Sequence, residues 1–151
     1  MGVIQALKDG DLDRSYVYRR IFNPQVPSPL DEEFTFETFS KKVMKKNRML
    51  KSVLVGKDAI LAGLNNTVFQ DVIFRAKLHP KRKASQLKKD EIQALYDAVR
   101  FMVQERIRLN GKDQFYDLYG NQGGYTPAMD PNMKQQPCPR CGTSIEKISV
   151  G

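Results

Sequence analysis

The chain has no tryptophan, a single histidine and only two cysteines among its 151 residues, and each scarcity removes a class of function. With so few nitrogen and sulfur ligands, a Cys2His2 metal site cannot be assembled from this sequence alone. His79, the lone histidine, sits just before Pro80, where a turn or packing role suits it better than metal ligation or acid-base work, and no Ser/His/Asp arrangement accompanies it. Nowhere does an apolar run approach the ~18 residues a membrane-spanning helix requires. The first residues also lack the basic start and apolar centre of a secretory signal. Met1 and Gly2 open like an acylation signal, but Ala6 stands where that pattern wants Ser or Thr. A cytoplasmic protein is expected. Acids are scarce too: 17 Asp and Glu face 25 Lys and Arg, a formal net charge of +8. Such a balance favours an anionic partner, nucleic acid first, an acidic membrane surface second and an acidic protein third.

Forty per cent hydrophobic residues, with 8 Phe and 6 Tyr, are enough to build a core. Residues 1–30 read as a remnant and linker: a short apolar start at Val3, Ile4 and Leu7, a charged turn, then NPQVPSP with Pro24, Pro27 and Pro29. Proline at that density denies the backbone its helical and ladder donors. From Asp31 the pattern becomes helical. Acids ahead of Phe36, Phe39, Val43 and Met44 predict a first helix over 33–47. Val68, Phe69, Val72, Ile73 and Ala76 predict a second, stopped by Pro80, and Ile92, Leu95, Tyr96, Val99, Met102, Val103 and Ile107 predict the longest, over 89–109, closed by Asn110-Gly111. Gly, Asn, Gln and Pro then dominate, so a loop or short hairpin around Asn121 to Gly124 is expected, with SIEKISV as a final strand.

Two acid-free basic runs stand out: Lys41, Lys42, Lys45, Lys46, Arg48, Lys51 and Lys57, then Arg75, Lys77, Lys81, Arg82, Lys83, Lys88 and Lys89. A solvated face is the ordinary cause of such runs. Between them lies AGLNN, a helix entry. The start of a helix leaves backbone N–H groups unpaired and carries partial positive charge, which suits a phosphate. Gly63 would let a second backbone approach, and Asn66 would both cap the helix and offer its amide to an anion. The plainer reading makes Asn66 a cap and Gly63 a turn. Asp90 and Glu91 fit the first turn of the long helix better than a catalytic pair.

Cys138 and Cys141 stand two residues apart in Pro-Cys-Pro-Arg-Cys-Gly. Half a zinc ribbon, a redox pair and chance are the three readings. A redox pair normally opens a helix in a βαβ setting, which is absent, whereas a Gly after the second thiol makes the turn of a ribbon.

Taken together, AGLNNTVFQDVIFRAKLHP and CPRCGTSIEKISVG resemble the C-terminal half of the formamidopyrimidine-DNA glycosylase and endonuclease VIII family of base-excision-repair enzymes. The first stretch is similar to that family's helix-two-turn-helix signature and the second to the first half of its zinc finger; the likeness runs from about residue 28 to the end. It implies a mainly α fold, a helix-two-turn-helix domain with a truncated β zinc-ribbon stub. Residues 1–30 would be the remnant and linker of a missing catalytic domain, 31–118 the DNA-binding domain and 119–151 a loop and incomplete finger. By the same resemblance Asn66 contacts a DNA phosphate, Lys51 lies near the DNA, Gly63 and Asn65 belong to the same seat, and Cys138 and Cys141 are two of four zinc ligands.

There are departures from the family. Asn65 replaces its second Gly, Lys88 replaces a capping Ser or Thr, and the segment from Lys51 to Gly63 is one residue longer. Gly2 and Val3 follow Met1 where the family has its Pro-Glu catalytic pair, so no catalytic residue is assigned. The expected function is the DNA-binding part of a DNA glycosylase/AP lyase for oxidised bases, with damaged double-stranded DNA as partner, zinc as cofactor, no membrane and no obligate protein partner. The alternatives are a non-enzymatic helix-two-turn-helix binder of RNA or DNA, and an interaction domain whose basic faces serve only solubility.

Overall fold

A computed structural model describes residues 6–15, 18–19, 26–56 and 59–150. Gly2, Val3, Ile4, Pro24 and Lys57, all named above, lie outside them. The mainly α fold is observed, with four helices among the described residues: α1 (Phe36–Met44), α2 (Leu50–Leu54), α3 (Asn66–Arg75) and α4 (Lys89–Arg108). Single 3-10 turns occupy Leu12–Arg14, Ala84–Gln86 and Pro131–Met133. Among the described residues the β content is confined to isolated bridges: Met49 with Lys83, Lys112 with Tyr125, Tyr116 with Gln122 and Pro137 with Ser144.

Helix α1 is shorter than expected at both ends: it starts later because Thr35 takes its cap, and it ends at Met44. The Thr38 N–H donates to Thr35 Oγ1 at 3.3 Å and the Thr35 N–H returns to Thr38 Oγ1 at 3.2 Å. Such a reciprocal pair fixes the first turn. It leaves Phe34 outside the helix, where its ring stacks on Tyr96 at 5.1 Å and its carbonyl accepts from the Tyr96 hydroxyl at 2.9 Å. Phe39 meets Phe34 edge-on at 5.4 Å, so an aromatic cluster locks α1 against α4. Below it Ile92, Leu95, Val99 and Met102 of α4 face Val68, Phe69, Val72 and Ile73 of α3, all buried. The five-residue α2 lies inside the first basic run and buries Leu50, Val53 and Leu54.

Helix α4 keeps its expected bounds within a residue at each end. At Lys88 the missing Ser or Thr is offset by Glu91, whose Oε2 accepts from the Lys88 N–H at 2.8 Å. At the other end Asn110 and Gly111 have φ of 55° and 95°, and the Gly111 N–H closes on the Arg106 carbonyl at 2.7 Å. This is the left-handed cap expected there. Helix α3 stops well before Pro80, through the same device. Lys77 adopts φ 57°, and the Leu78 N–H closes on the Ile73 carbonyl at 2.9 Å. A left-handed conformation costs a residue with a Cβ roughly 1 kcal/mol. Lys77→Gly should therefore raise the thermal midpoint by about 3 °C, read by calorimetry.

Beyond α4 the chain folds back on the helix bundle. The Gly124 N–H donates to the Leu109 carbonyl at 2.7 Å and the Tyr125 N–H to the Gly111 carbonyl at 2.9 Å. A Cβ at Gly123 would fall 2.4 Å from the Lys112 carbonyl oxygen, so this approach requires glycine. The expected hairpin sits slightly earlier than Asn121 to Gly124, with its turn at 117–121 held by Asp117, whose carboxylate accepts from the N–H groups of Tyr119 and Asn121 at 2.8 Å each. No regular strand forms over SIEKISV; Ser144 alone makes a bridge.

Candidate nucleic-acid interface

The chain enters α3 through a turn at Gly63, whose φ of 83° and open surroundings suit glycine. Extended backbone at Asn65 then sets up the cap, and its Oδ1 accepts from the Val68 N–H at 3.0 Å. The capping role expected of Asn66 thus belongs to Asn65. The reason is one of register: Leu64 turns into the core, and the next residue is the one whose side chain can reach back over the first turn. Asn66 becomes the first helical residue. Its side chain is exposed and makes no hydrogen bond among the described residues. Asn65 therefore fills the second-glycine position without disordering the turn.

From this entry a groove of about 830 Å³ runs along the exposed flank of α3, with Lys51 and Asn66 on its walls beside His79, Lys134 and the segment 145–150. The structure brings Lys51 and Asn66 to one groove; Gly63 and Asn65 precede Asn66 in the chain but do not line it. Lys51 is not idle, since its Nζ donates to the Val150 carbonyl at 2.6 Å. His79 is an exposed turn residue whose Nδ1 accepts from the Lys81 N–H at 3.3 Å.

Cys138 and Cys141 lie apart from the groove, in a tight knuckle. The Cys138 N–H donates to the Thr143 carbonyl and the Gly142 N–H to the Cys138 carbonyl, both at 2.8 Å, with Gly142 at φ 74°. Hydrogen bonds from the Thr143 hydroxyl, then from its N–H, and then a bond with Cys138 pull the Cys141 thiol below its ordinary range. Both thiols are free. Among the described residues no group of three or more His, Cys, Asp or Glu side chains could hold a metal ion. The pair fits half of a tetrahedral site and does not complete one. Arg140, between the two cysteines, ties the knuckle to α3: its Nη2 donates to the Phe74 carbonyl at 3.0 Å and its guanidinium lies 4.3 Å from the Phe74 ring centre.

A polar network absent from the sequence reading joins these parts. Asp71 on α3 is fully buried. Its Oδ1 accepts from Arg75 Nε and from the Ala128 N–H, each at 3.0 Å, and its Oδ2 accepts from the Tyr125 hydroxyl. Burial first, then the bond to Asp71, pushes the Tyr125 phenol up to about 12. Nearby Lys112 and Asp130 form a buried ion pair. For Asp130 burial is the largest influence and opposes ionisation, but Lys112, the Asn132 N–H and the charge of Arg106 together hold the carboxyl below its ordinary value. The available signal was a carboxylate at position 71 inside the apolar stripe of α3, four residues before an arginine.

Residues 26–115 match the family model described as the formamidopyrimidine-DNA glycosylase H2TH domain. A formamidopyrimidine-DNA glycosylase of Bacillus cereus is 33% identical over 128 residues, 83% of this chain and 46% of the relative. Among solved structures, the MutM (Fpg) protein of Thermus thermophilus superposes with a TM-score of 0.80 at 30% identity, covering 93% of this chain and 53% of that one. The Lactococcus lactis Fpg in complex with FAPY-dG-containing DNA gives 0.71 at 26% identity, covering 94% and 51%. The chain spans about half the length of the curated relatives it matches. Among the described residues no helix is long and apolar enough to cross a membrane.

Proposed function

Because the chain belongs to the formamidopyrimidine-DNA glycosylase H2TH-domain family, we propose that it is the DNA-binding part of a base-excision-repair glycosylase/AP lyase and that its groove holds the backbone of damaged duplex DNA. The observation that carries this reading is the presence of Asn66 and Lys51 on the walls of one groove at the entry to α3. Helix-start N–H groups, a free side-chain amide and an ammonium are the donors that suit a phosphate. Similarity to proteins solved with FAPY-dG and abasic-site DNA supports a damaged duplex as the ligand.

Residues 31–118 form the binding domain in this reading, with 1–30 as linker and 119–151 as loop and finger. Cys138 and Cys141 supply two of four zinc ligands in this reading. Gly63 and Asn65 shape the seat, and Asn66 and Lys51 touch the strand. No catalytic residue is assigned to this chain.

The division of labour between the two asparagines gives the test. Asn66→Ala should weaken duplex binding about tenfold in fluorescence anisotropy, the value of one lost charge-assisted contact of ~1.4 kcal/mol, while leaving the melting temperature unchanged. Asn65→Ala should do the reverse in the first instance, costing about 1 kcal/mol of stability through the lost cap. Unchanged affinity in Asn66→Ala would remove the reading.

A further inference from the structure

The two acid-free basic runs are far apart in sequence, yet the backbone joins them into one seam. Four hydrogen bonds do this: Ser85 N–H to the Lys46 carbonyl at 3.1 Å, Ala84 N–H to Arg48 at 2.9 Å, Leu50 N–H to Arg82 at 3.0 Å, and Ser85 Oγ to Asn47 Oδ1 at 3.1 Å. Met49 and Lys83 pair as an antiparallel bridge at its centre. Ala84 and Leu50, both with zero exposure, anchor the seam from below. Its backbone is thus fixed, whereas several of its lysines are not neutralised.

Lys42, Lys45, Lys46, Lys81, Lys83 and Lys88 make no side-chain ion pair among the described residues. Two neighbouring acids have other cations: Glu37 holds Lys41 at 2.6 Å, and Glu91 holds Arg82, the one seam residue it pairs, at 3.0 Å while capping α4. Asp90 belongs to the first turn of α4, where the helix dipole favours it. Folding has therefore gathered like charges that repel one another, at a place where the backbone is fixed by hydrogen bonds. A solvated face requires no such gathering. The seam also runs directly into Lys51, at the second residue of α2, and into His79 and Pro80 on the groove wall. It extends the groove's positive track along the surface.

We propose that the seam of residues 45–48 and 82–85, with Lys81 and Lys88 beside it, is a second contact surface for nucleic-acid phosphates, engaging the duplex beyond the stretch held at the entry to α3. It rests on the reading of the groove as a backbone seat, and it adds a separate set of cations. Each phosphate neutralised adds about 0.9 to the slope of log affinity against log salt.

The test neutralises Lys45→Gln, Lys46→Gln, Lys83→Gln and Lys88→Gln together in the full chain and measures binding to a 24-base-pair duplex, ~80 Å long at about 3.4 Å per pair, over a salt series. The expected result is a slope shallower by about 2 to 3 and a loss of at least tenfold in affinity at 100 mM salt, with an unchanged circular-dichroism melt. An unaltered slope overturns the proposal. So does a variant that keeps its duplex slope but loses binding to phosphatidylglycerol vesicles, which would assign the seam to a membrane surface. Asn66→Ala, measured in parallel, separates the two readings: if it is silent while the seam variant loses slope, the groove seat fails and the seam stands, and the opposite pattern removes the seam alone.

Discussion

Asp71→Ala is expected to lower stability by ~3 to 5 kcal/mol, the cost of breaking a buried ion pair from one side. The carboxylate has no exposure and serves three donors at once: Arg75 Nε and the Ala128 N–H at 3.0 Å, and the Tyr125 hydroxyl. Its removal leaves a buried hydroxyl and a partly buried N–H without an acceptor, and a guanidinium that is 28% exposed without its counter-charge. Arg75 also donates to Tyr125 Oη at 3.2 Å and lies 4.7 Å from the Phe101 ring centre, so its displacement would disturb α4 as well. A domain of this size has ~5 to 15 kcal/mol in all. The loss should therefore bring the thermal midpoint down by roughly 10 °C or more. Asp71→Asn keeps the shape but presents an NH2 group to donors, and should fall between wild type and Asp71→Ala. Urea unfolding followed by tyrosine fluorescence, free of tryptophan background, measures the difference. Equal stability of wild type and Asp71→Ala would mean that the loop does not depend on this carboxylate.

The same residue shows where sequence reading stops. The period of α3 was legible because Val68, Phe69, Val72 and Ile73 repeat at helical spacing, and α4 because its stripe is long and its cap is Asn-Gly. Asp71 stood out only as a carboxylate in an apolar stripe; its partners Tyr125 and Ala128, 54 and 57 residues along the chain, were not legible. Burial of a charge depends on contacts of that kind, and no local pattern encodes them. Helix α2 escaped notice for a different reason. Five residues are too few to establish a period, and the lysines around Leu50, Val53 and Leu54 mask the apolar signal. The entry to α3 was legible to within one residue. Which of two adjacent asparagines would cap was decided by how Leu64 packs, a tertiary choice that leaves Asn66 unencumbered. A final strand was expected over SIEKISV, yet a strand needs a partner for its ladder, and SIEKISV has one bridge.

Duplex affinity of the wild-type chain should fall several-hundred-fold between 50 and 200 mM salt, with little dependence on sequence. About five phosphates neutralised by Lys51, the α3 entry and the lysine seam give a slope near −4.5, and a fourfold rise in salt then costs roughly 500-fold. Lys51 must first leave the Val150 carbonyl, 2.6 Å from its Nζ. That exchange is favourable, because the ammonium trades a bond to an uncharged carbonyl for one to an anionic phosphate oxygen, where both partners are charged. Weak sequence preference follows from the chemistry of the donors. Phosphates are alike at every step of the duplex, and the donors assigned to the groove carry no pattern that reads base edges. The net charge of +8 sets the sign of the effect, but a diffuse charge would be screened without a fixed stoichiometry of released ions. A linear log-log plot with an integral number of contacts, reduced by about 0.9 in Lys51→Gln, is the signature of a built site. A loss of less than tenfold over the same range would show that the lysines stay hydrated beside the strand, and that the groove does not hold it.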